Sequence, residues 1–370
     1  MSFKRELLRS VAREAHARGN WELLLLAPVN RSVGFNVPPS MDGLLLWPDG
    51  VEELEPLLGA EVPTVCLGHI DPTQEVPRIV FDNHKVGRVI AEGFLERGFR
   101  HFGAYCQRRM YRYAEDRFAG FRERVLAAGA AEPTAFNGEV MSLEPVKWQA
   151  GLEALGAWLR ALPKPAAIFC DTDQAGADLL RACQHLDIRV PDEVAAIGVG
   201  DDDLLCNLSH PPLSSVSLRG AEVGRQAVGM LEERMRWPRR KVKTRVMTEF
   251  RLIERASSEL LAVEDAAVTK ALRCIREMAT NGIGVDEVVE AAGLSRRMLE
   301  LRFKATTGRT PHAEILRVKL ARAQSLLATT DLPVAEVAER SGFNAPQRLC
   351  EAFARKLGFA PLEWRRRSRG

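Results

Sequence analysis

Long apolar runs and paired cysteines are missing from this sequence of 370 residues, and no secretory leader is expected. The longest apolar run near the start, residues 23–29, is far too short to cross a bilayer, so no membrane partner is expected. The first residues lack the basic, apolar and small-residue regions of a signal peptide, which favours a cytoplasmic protein. The seven cysteines are scattered and form no C-x-x-C pair. Reduced, buried thiols are therefore expected rather than disulfides or a zinc site.

Catalytic motifs are missing as well. The sequence contains no nucleophile elbow, no phosphate-binding Walker loop and no zinc-protease motif. The pair Gly198 and Gly200 lacks the third glycine of a dinucleotide-binding loop. The sequence therefore predicts a protein that is not an enzyme, with no catalytic residues, no cofactor and no metal ion.

Charge is distributed unevenly along the chain, although the net charge is only +3. Residues 265–370 contain 19 Lys and Arg against 12 Asp and Glu, a balance of +7, so the preceding part is at −4. A basic tail behind an acidic body indicates a polyanion partner for the C-terminal part alone.

Residues up to about 253 alternate between short apolar runs and longer amphipathic segments. Runs that are apolar on both faces, separated by helices, predict parallel sheets with helices on both sides. Ligands of such sheets bind beyond the carboxyl ends of the strands, where Asn83, residues 171–173 and residues 200–203 fall. The predicted strands are Trp21–Ala27, Gly43–Trp47, Thr64–Gly68, Arg78–Phe81, His101–Cys106, Ala166–Cys170 and Val194–Val199. The predicted helices are Phe3–Arg18, His84–Arg97, Tyr113–Ala128, Val146–Leu162, Ala175–Leu186 and Gly220–Met235.

The tail is helical in period and contains an internal repeat. Residues 285–295 align with residues 334–344, and apolar positions further on also match. In each unit a short helix ends at a glycine suited to the left-handed conformation, Gly293 or Gly342. An apolar residue fills the turn, and Ser295 or Asn344 is placed to cap a second helix. This is the helix-turn-helix plan, whose second helix enters the major groove of DNA.

From about residue 268 to 366 the tail resembles the AraC/XylS family in both turns, in the helix between them and in residues 358–365. The resemblance implies two recognition helices that read successive major grooves of a double-stranded DNA operator. By position, the base-reading side chains would be Arg296, Arg297, Glu300, Leu301, Gln347, Arg348 and Glu351. Phosphate contacts are expected from Arg302, Lys304, Arg355, Lys356 and Arg365–Arg367. The alternative for each side chain is a solvated, charged helix face.

Residues 5–253 resemble the periplasmic-binding-protein-like sensors of LacI/GalR-type repressors. The motifs that carry the resemblance are Phe81–Gly87, Leu95–Phe102, Arg117–Phe121, Asp171–Ala175, Val190–Gly198 and Pro211–Val216. The resemblance implies a two-lobed sensor that binds a small sugar, with a pentose such as xylose favoured. It also implies a homodimer, and contact with RNA polymerase if the protein is an activator.

Matching positions nominate five ligand-binding residues. Arginine and aspartate make charge-assisted hydrogen bonds to hydroxyls, and an aromatic face covers the apolar side of a sugar ring. The nominated residues are Arg117, Asp173, Asp201, Tyr113 and Arg112. Alternatives remain open: Arg117 as a surface cation, Asp173 as a helix cap and Asp201 as part of a solvated loop.

Two departures from the sensor pattern stand beside these nominations. Alignment on Gly198 puts Gly200 where relatives carry a ligand-binding aspartate, whereas alignment on the later proline pair puts Asp201 there. The first strand of the sensor fold has no counterpart before the helix at Phe3–Arg18, so a start upstream of Met1 is expected. A regulator whose cleft binds no ligand is therefore the alternative function, ahead of a solute-binding protein or an enzyme.

The sequence thus predicts a sensor domain over residues 1–253, apparently without its first strand, and a linker over residues 254–267. A DNA-binding domain with two helix-turn-helix units is predicted over residues 268–370.

Overall fold

A computed structural model describes residues 2–25, 41–47, 62–68, 76–107, 111–138, 145–238, 240, 242–259 and 265–369. The chain divides into two compact units, residues 1–260 and residues 261–370. The first unit contains all the strands that are described, and the second is helical.

Ten strands are described in the first unit, in two sheets. The first sheet has the order β1-β2-β3-β9 and its pairs are all parallel. The second has the order β10-β8-β7-β6-β4-β5, and only β10 runs antiparallel to its neighbour. The strands are β1 (Leu44–Leu46), β2 (Thr64–Leu67), β3 (Arg78–Phe81), β4 (His101–Cys106), β5 (Thr134–Asn137), β6 (Ala166–Cys170), β7 (Val194–Val199), β8 (Ser214–Ser217), β9 (Arg245–Met247) and β10 (Arg251–Ile253).

The central strands β6 and β7 are buried along their whole length, because helices lie against the sheet. Leu155, Leu159, Leu179 and Ile168 belong to one cluster of this core. The helices of the first unit are α1 (Ser2–Arg18), α2 (Asn83–Glu96), α3 (Arg112–Ala127), α4 (Pro145–Ala161), α5 (Asp173–His185), α6 (Asp203–Leu208) and α7 (Gly220–Arg236), followed by a 3-10 turn at Ala256–Ser258.

Most of the sequence-based predictions for this unit are confirmed within one or two residues. The strand predicted at Trp21–Ala27 is wrong over its described residues, because 21–25 form no strand and Leu25 is 73% exposed. Residues 26 and 27 lie outside the described residues. Strands β5, β8, β9 and β10 were not predicted: β5 is only partly buried, and β8 is rich in serine.

The predicted apolar stripe of α1 packs on α7. Leu7, Val11 and Ala15 are buried, whereas Leu8 is 44% exposed. A Cβ at Gly224 would lie 2.8 Å from the carbonyl oxygen of Leu7, so the two helix backbones lie close together.

The second unit is built on two small cores, one for each helix-turn-helix. Leu299 and Phe303 lie in the first core, and Leu349 and Phe353 lie in the second. The long helix α11 contributes to both. The helices are α8 (Ala266–Met278), α9 (Val285–Ala292), α10 (Arg296–Thr307), α11 (Pro311–Thr329), α12 (Val334–Arg340), α13 (Pro346–Leu357) and α14 (Pro361–Arg369), with a 3-10 turn at Ala279–Asn281.

All seven cysteines are free thiols, and five are buried: Cys66, Cys106, Cys170, Cys183 and Cys206. Burial raises the pKa of Cys66 to about 11, which keeps that thiol protonated at neutral pH. In the described part of the chain, no group of three or more His, Cys, Asp or Glu is placed to hold a metal ion. None of the helices described above is long and apolar enough to span a bilayer.

Candidate ligand site and nucleic-acid interface

Arg117 is buried next to the carboxyl ends of β3 and β6. Its Nε donates to Asn83 Oδ1 at 2.9 Å, and its Nη1 donates to the Asp171 carbonyl oxygen at 2.7 Å. Burial lowers the pKa of the guanidinium, and the neighbouring Tyr113, Asp171 and Asp173 oppose that shift. The predicted ligand residue Arg117 is therefore not the surface cation of the alternative reading.

A close helix crossing fixes the position of Arg117. A Cβ at Gly87 of α2 would lie 1.8 Å from the Arg117 carbonyl oxygen. A Cβ at Gly120 of α3 would lie 1.9 Å from the His84 carbonyl oxygen. Only glycine permits this approach, so α2 and α3 touch backbone to backbone and Arg117 meets Asn83 at the start of α2.

Asp173 is the second buried charge of the site. Ser215 Oγ donates to its Oδ1 at 2.5 Å, and the Asp202 N–H donates to its Oδ2 at 2.6 Å. Burial raises the pKa of Asp173 to about 7, although the hydrogen bond from Ser215 lowers it. The N-cap of α5 is Thr172, whose hydroxyl accepts from the Ala175 N–H. Capping is therefore carried by Thr172, and the Asp173 carboxylate is turned towards β7 and β8.

The glycines of the Gly198–Gly200 segment make room for this carboxylate. A Cβ at Gly198 would lie 2.6 Å from Asp173 Oδ1, and a Cβ at Gly200 would lie 3.0 Å from Asp173 Oδ2. Gly200, which stands in one alignment where relatives carry an acid, is thus in contact with Asp173.

Asp201 forms an ion pair with Arg255. Its Oδ1 accepts from Arg255 Nη2 at 2.7 Å, and its own N–H donates to Ser215 Oγ at 2.9 Å. Ser215 therefore links Asp173 to the Asp201 backbone. Asp201 is a partly buried residue in the left-handed region, at φ 52°, and not a solvated loop side chain.

Arg255 begins a buried segment at the end of the first unit. Its N–H donates to Ser214 Oγ at 2.8 Å, and Ser257 Oγ donates to the Ala196 carbonyl oxygen at 2.7 Å. Ser258 Oγ donates to Ser214 Oγ at 2.8 Å. Ser257 and Ser258 are fully buried, so this segment is part of the sensor core and not a free linker.

The aromatic candidate Tyr113 lies under Arg117. The guanidinium carbon of Arg117 is 4.8 Å from the centroid of the Tyr113 ring, and the ring stacks on Tyr111 at 5.6 Å. Tyr113 is half-buried, and Arg112 is exposed at the first residue of α3. The structure thus brings Arg117, Asp173 and Tyr113 close to the ends of the strands, with Asp201 linked through Ser215.

Sequence reasoning missed Ser215 and Arg255 as members of this network. Ser215 lies in a strand that was not predicted, and Arg255 was placed in the expected linker. Both pairings bridge long stretches of chain, 42 residues for Ser215 to Asp173 and 54 for Arg255 to Asp201. No local pattern marks such partners.

The first helix-turn-helix has the predicted local geometry. Gly293 ends α9 in the left-handed region at φ 66°, Leu294 packs against the core, and the Ser295 hydroxyl accepts from the Met298 N–H at 3.4 Å. The four base-reading candidates of α10, Arg296, Arg297, Glu300 and Leu301, are all exposed. Arg296 pairs with Asp286 at 3.0 Å and with Glu300 at 3.4 Å.

The second unit repeats this plan with one correction. Gly342 has φ 77° and Phe343 packs against its core, but the capping prediction for Asn344 is wrong. Helix α13 begins one residue later, with Ala345 as N-cap, no side-chain cap and Pro346 at the first helical position, where its fixed φ suits a helix. The base-reading candidates of α13, Gln347, Arg348 and Glu351, are all exposed.

The two helix-turn-helix units touch at Gly342. A Cβ there would lie 2.4 Å from the Ala279 carbonyl oxygen and 2.8 Å from Thr280 Cα. With the shared helix α11, this contact joins both reading helices in one domain.

The phosphate candidates divide into two groups. Lys304, Arg355, Lys356 and Arg366 are exposed. Arg302 instead pairs through Nε with Asp265 Oδ2 at 2.6 Å, where Asp265 caps α8, and Arg365 donates to the Leu332 carbonyl oxygen. The side chain of Arg367 lies outside the described residues.

Parallel sheets with charged groups at the strand ends, followed by two helix-turn-helix units, define a ligand-sensing DNA-binding protein. The comparisons with known proteins agree. Residues 91–258 match the periplasmic binding protein-like domain family, and residues 288–367 match a helix-turn-helix domain family.

Whole-length relatives give the family. The chain is 31% identical to the xylose operon regulatory protein of Escherichia coli K12, over 88% of this chain and 83% of that protein. The protein of the same name from Haemophilus influenzae is 27% identical, over 88% of this chain and 85% of that protein. The solved structure of a xylose-binding transcription activator, XylR, has a TM-score of 0.74 at 28% identity, over 100% of this chain and 96% of that one. The chain belongs to the family of the xylose operon regulatory proteins, which are transcription regulators.

Proposed function

We propose that this regulator binds a small sugar, xylose, at the carboxyl ends of β3, β6 and β7, and that the sugar controls binding to operator DNA. The observation that carries the proposal is that two buried side chains of opposite character, Arg117 and Asp173, lie at those strand ends within electrostatic reach of each other. A cation and an acid in one buried site supply donors and acceptors for vicinal hydroxyls. The names of the relatives at whole-chain length favour xylose.

Each nominated residue then has a role. Arg117 donates to sugar hydroxyls, Asp173 accepts from them, and the Tyr113 ring covers an apolar face. Asp201 acts beside Asp173 through Ser215, and Arg112 lies at the exposed rim. Arg255 pairs with Asp201, and it starts the segment of chain that leads to the second unit. We therefore propose that this segment transmits the effect of sugar binding at Asp173 to the DNA-binding unit.

The DNA roles follow the exposed faces of α10 and α13. Arg296, Arg297 and Arg348 read guanine, Gln347 reads adenine, and Leu301 meets a thymine methyl group. Glu300 and Glu351 accept from cytosine. Lys304, Arg355 and Lys356 contact phosphates and give affinity without sequence information. Arg302 and Arg365 reach phosphate only by leaving the intramolecular partners described above.

A dimer joined through the sensor would place two tails on repeated half-sites and raise affinity through effective concentration. Contact with RNA polymerase belongs to the proposal if the protein is an activator. A regulator of operator DNA works in the cytoplasm, and no catalysis is assigned to it.

Calorimetric titration of the full chain with xylose and a panel of other pentoses and hexoses tests the sugar. Arg117→Met should abolish xylose binding. Methionine keeps most of the aliphatic part of the side chain but lacks the guanidinium that is proposed to donate to the sugar hydroxyls. Arg122→Met is the matched control: Arg122 lies on the same helix α3, is exposed and pairs with Glu132. Equal binding by both variants would contradict the site.

The second part of the proposal, that the sugar controls binding to operator DNA, requires a DNA sequence that the protein prefers. The full chain is used to select that sequence from a random pool of duplexes. The selected duplex is then titrated with and without xylose, and its affinity should change when the sugar is present.

A regulator that binds no sugar is the second candidate. Its support is that Asp173 already has protein partners at both oxygens and that Gly200 stands where one alignment expects an acid. Absence of heat with every sugar, together with selection of a defined DNA sequence, would favour this candidate.

A further inference from the structure

A basic segment interrupts the acidic sensor. Residues 234–245 contain seven Lys and Arg and no Asp or Glu, within a part of the chain, residues 1–264, whose balance is −4. The next acid after this segment is Glu249. The segment runs from the last turn of α7 to the start of β9.

Part of this charge serves the fold. Arg234 Nη1 donates to the Pro238 carbonyl oxygen at 3.0 Å, and the Arg240 N–H donates to the Trp237 carbonyl oxygen at 2.9 Å. Arg240 also pairs with Glu233 at 3.1 Å. These contacts tie the described residues Pro238 and Arg240 to the last turn of α7.

Three further cations of the segment are described, Arg236 at the end of α7, Lys243 after the turn and Arg245 at the start of β9. Arg236, Lys243 and Arg245 are exposed. Trp237 is 45% exposed, with the guanidinium carbons of Arg236 and Arg240 at 4.8 Å and 5.7 Å from its ring centroid. Stacking on an indole holds a guanidinium in place, so Arg236 and Arg240 lose less conformational freedom when they bind a ligand.

We propose that the surface formed by Arg236, Trp237, Arg240, Lys243 and Arg245 is a second DNA contact, which binds phosphates outside the bases read by the tail. Planar guanidiniums suit phosphate oxygens. The tail carries a balance of +7 and is repelled by this surface, whereas DNA attracts both. DNA is the polyanion that this family of regulators already meets.

The test measures binding of the full chain to a long random-sequence duplex, so that no operator needs to be known. The triple variant Arg236→Gln, Lys243→Gln and Arg245→Gln removes three exposed charges. Arg240 stays in place because Glu233 would lose its partner. The control triple variant, Arg88→Gln, Arg100→Gln and Arg160→Gln, removes three exposed charges of the same unit that are spread over α2, the following turn and α4.

Each lost phosphate contact lowers the steepness of log affinity against log salt by about 0.9. Three contacts predict that raising salt from about 50 to about 200 mM weakens the wild type roughly 40-fold more than the surface variant. The control variant should keep the wild-type slope.

Equal slopes for the two variants would overturn the proposal. So would a surface variant that loses binding to phosphatidylserine vesicles, or loses salt-dependent self-association, while DNA binding stays at the control level. A xylose titration of the same proteins distinguishes failure of the proposed sugar site from failure of the second DNA contact. The salt dependence of DNA binding can be compared between the variants even if none of them binds sugar.

Discussion

The proposed sugar site and the proposed DNA-reading surface place their candidate residues in opposite surroundings. Arg117 and Asp173 are buried, 6% and 4% exposed, and each has protein partners within hydrogen-bonding distance. Arg297 and Arg348 stand fully outside the cores of their helix-turn-helix units. In the sensor a candidate side chain is therefore also part of the fold, whereas in the tail the core residues and the candidate residues lie on different faces of one helix.

The largest effect is expected from the inner face of a reading helix. Phe353→Ala removes a fully buried ring from the second core and should cost about 3–5 kcal/mol of unfolding free energy. Chemical denaturation, followed by a probe in the tail, measures it. Xylose binding by the sensor is the control and should persist. If the unfolding free energy of the tail is unchanged in Phe353→Ala, packing in this core does not stabilise α13.

Next comes the buried cation of the sensor. Arg117→Met leaves Asn83 Oδ1 and the Asp171 carbonyl oxygen without their donor, and each lost partner should cost about 1–3 kcal/mol. Denaturation of the sensor unit gives the value, with Arg122→Met as reference. If Arg117→Met and Arg122→Met have the same unfolding free energy, Arg117 does not stabilise the fold. The difference between the sensor and the tail would then be wrong for this residue.

Asp173 should make the stability of the sensor depend on pH. Burial raises its folded-state pKa from 3.8 to about 7, so the native state binds the proton more tightly than the unfolded chain. Its contribution is complete below about pH 4 and is lost as pH rises through 7, at about 1.4 kcal/mol per pH unit within that window.

The unfolding free energy of the wild type, compared with that of Asp173→Asn, should fall as pH rises across this window. The asparagine amide does not titrate, so the variant lacks this pH-dependent contribution. Asp203→Asn removes an exposed carboxylate at the first residue of another helix of the same unit, α6, and is the control. Parallel curves for the wild type and Asp173→Asn would show that Asp173 is ionised at all these pH values.

The smallest effect on stability is expected at the outer face of the reading helices. Arg297→Ala and Arg348→Ala should each change the unfolding free energy by less than about 0.5 kcal/mol. They should relax the preferred DNA sequence at one base by about 1–3 kcal/mol. Arg322→Ala, exposed on α11, is the control for charge alone. An unchanged preferred sequence would mean that these faces do not read bases.

The amino-acid sequence by itself determined the fold class and most of the helices and central strands, but not β5, β8, β9 and β10. Strands β3, β4, β6 and β7 coincide with the predicted ranges, because a strand buried on both faces must be a continuous apolar run. The helix-turn-helix units were legible because glycine, apolar and capping residues act over four or five neighbours. A conformation that depends only on residues close together in the chain can be predicted from the sequence.

Only the tertiary structure decided which polar groups meet. Arg117 reaches Asn83 across 34 residues, and it does so because Gly87 and Gly120 let two helix backbones touch. Ser215 and Arg255 join the network from a strand and a segment with no apolar signal. A polar side chain is buried only if its partner is in place, and that partner is chosen by the packing of distant elements rather than by any local pattern.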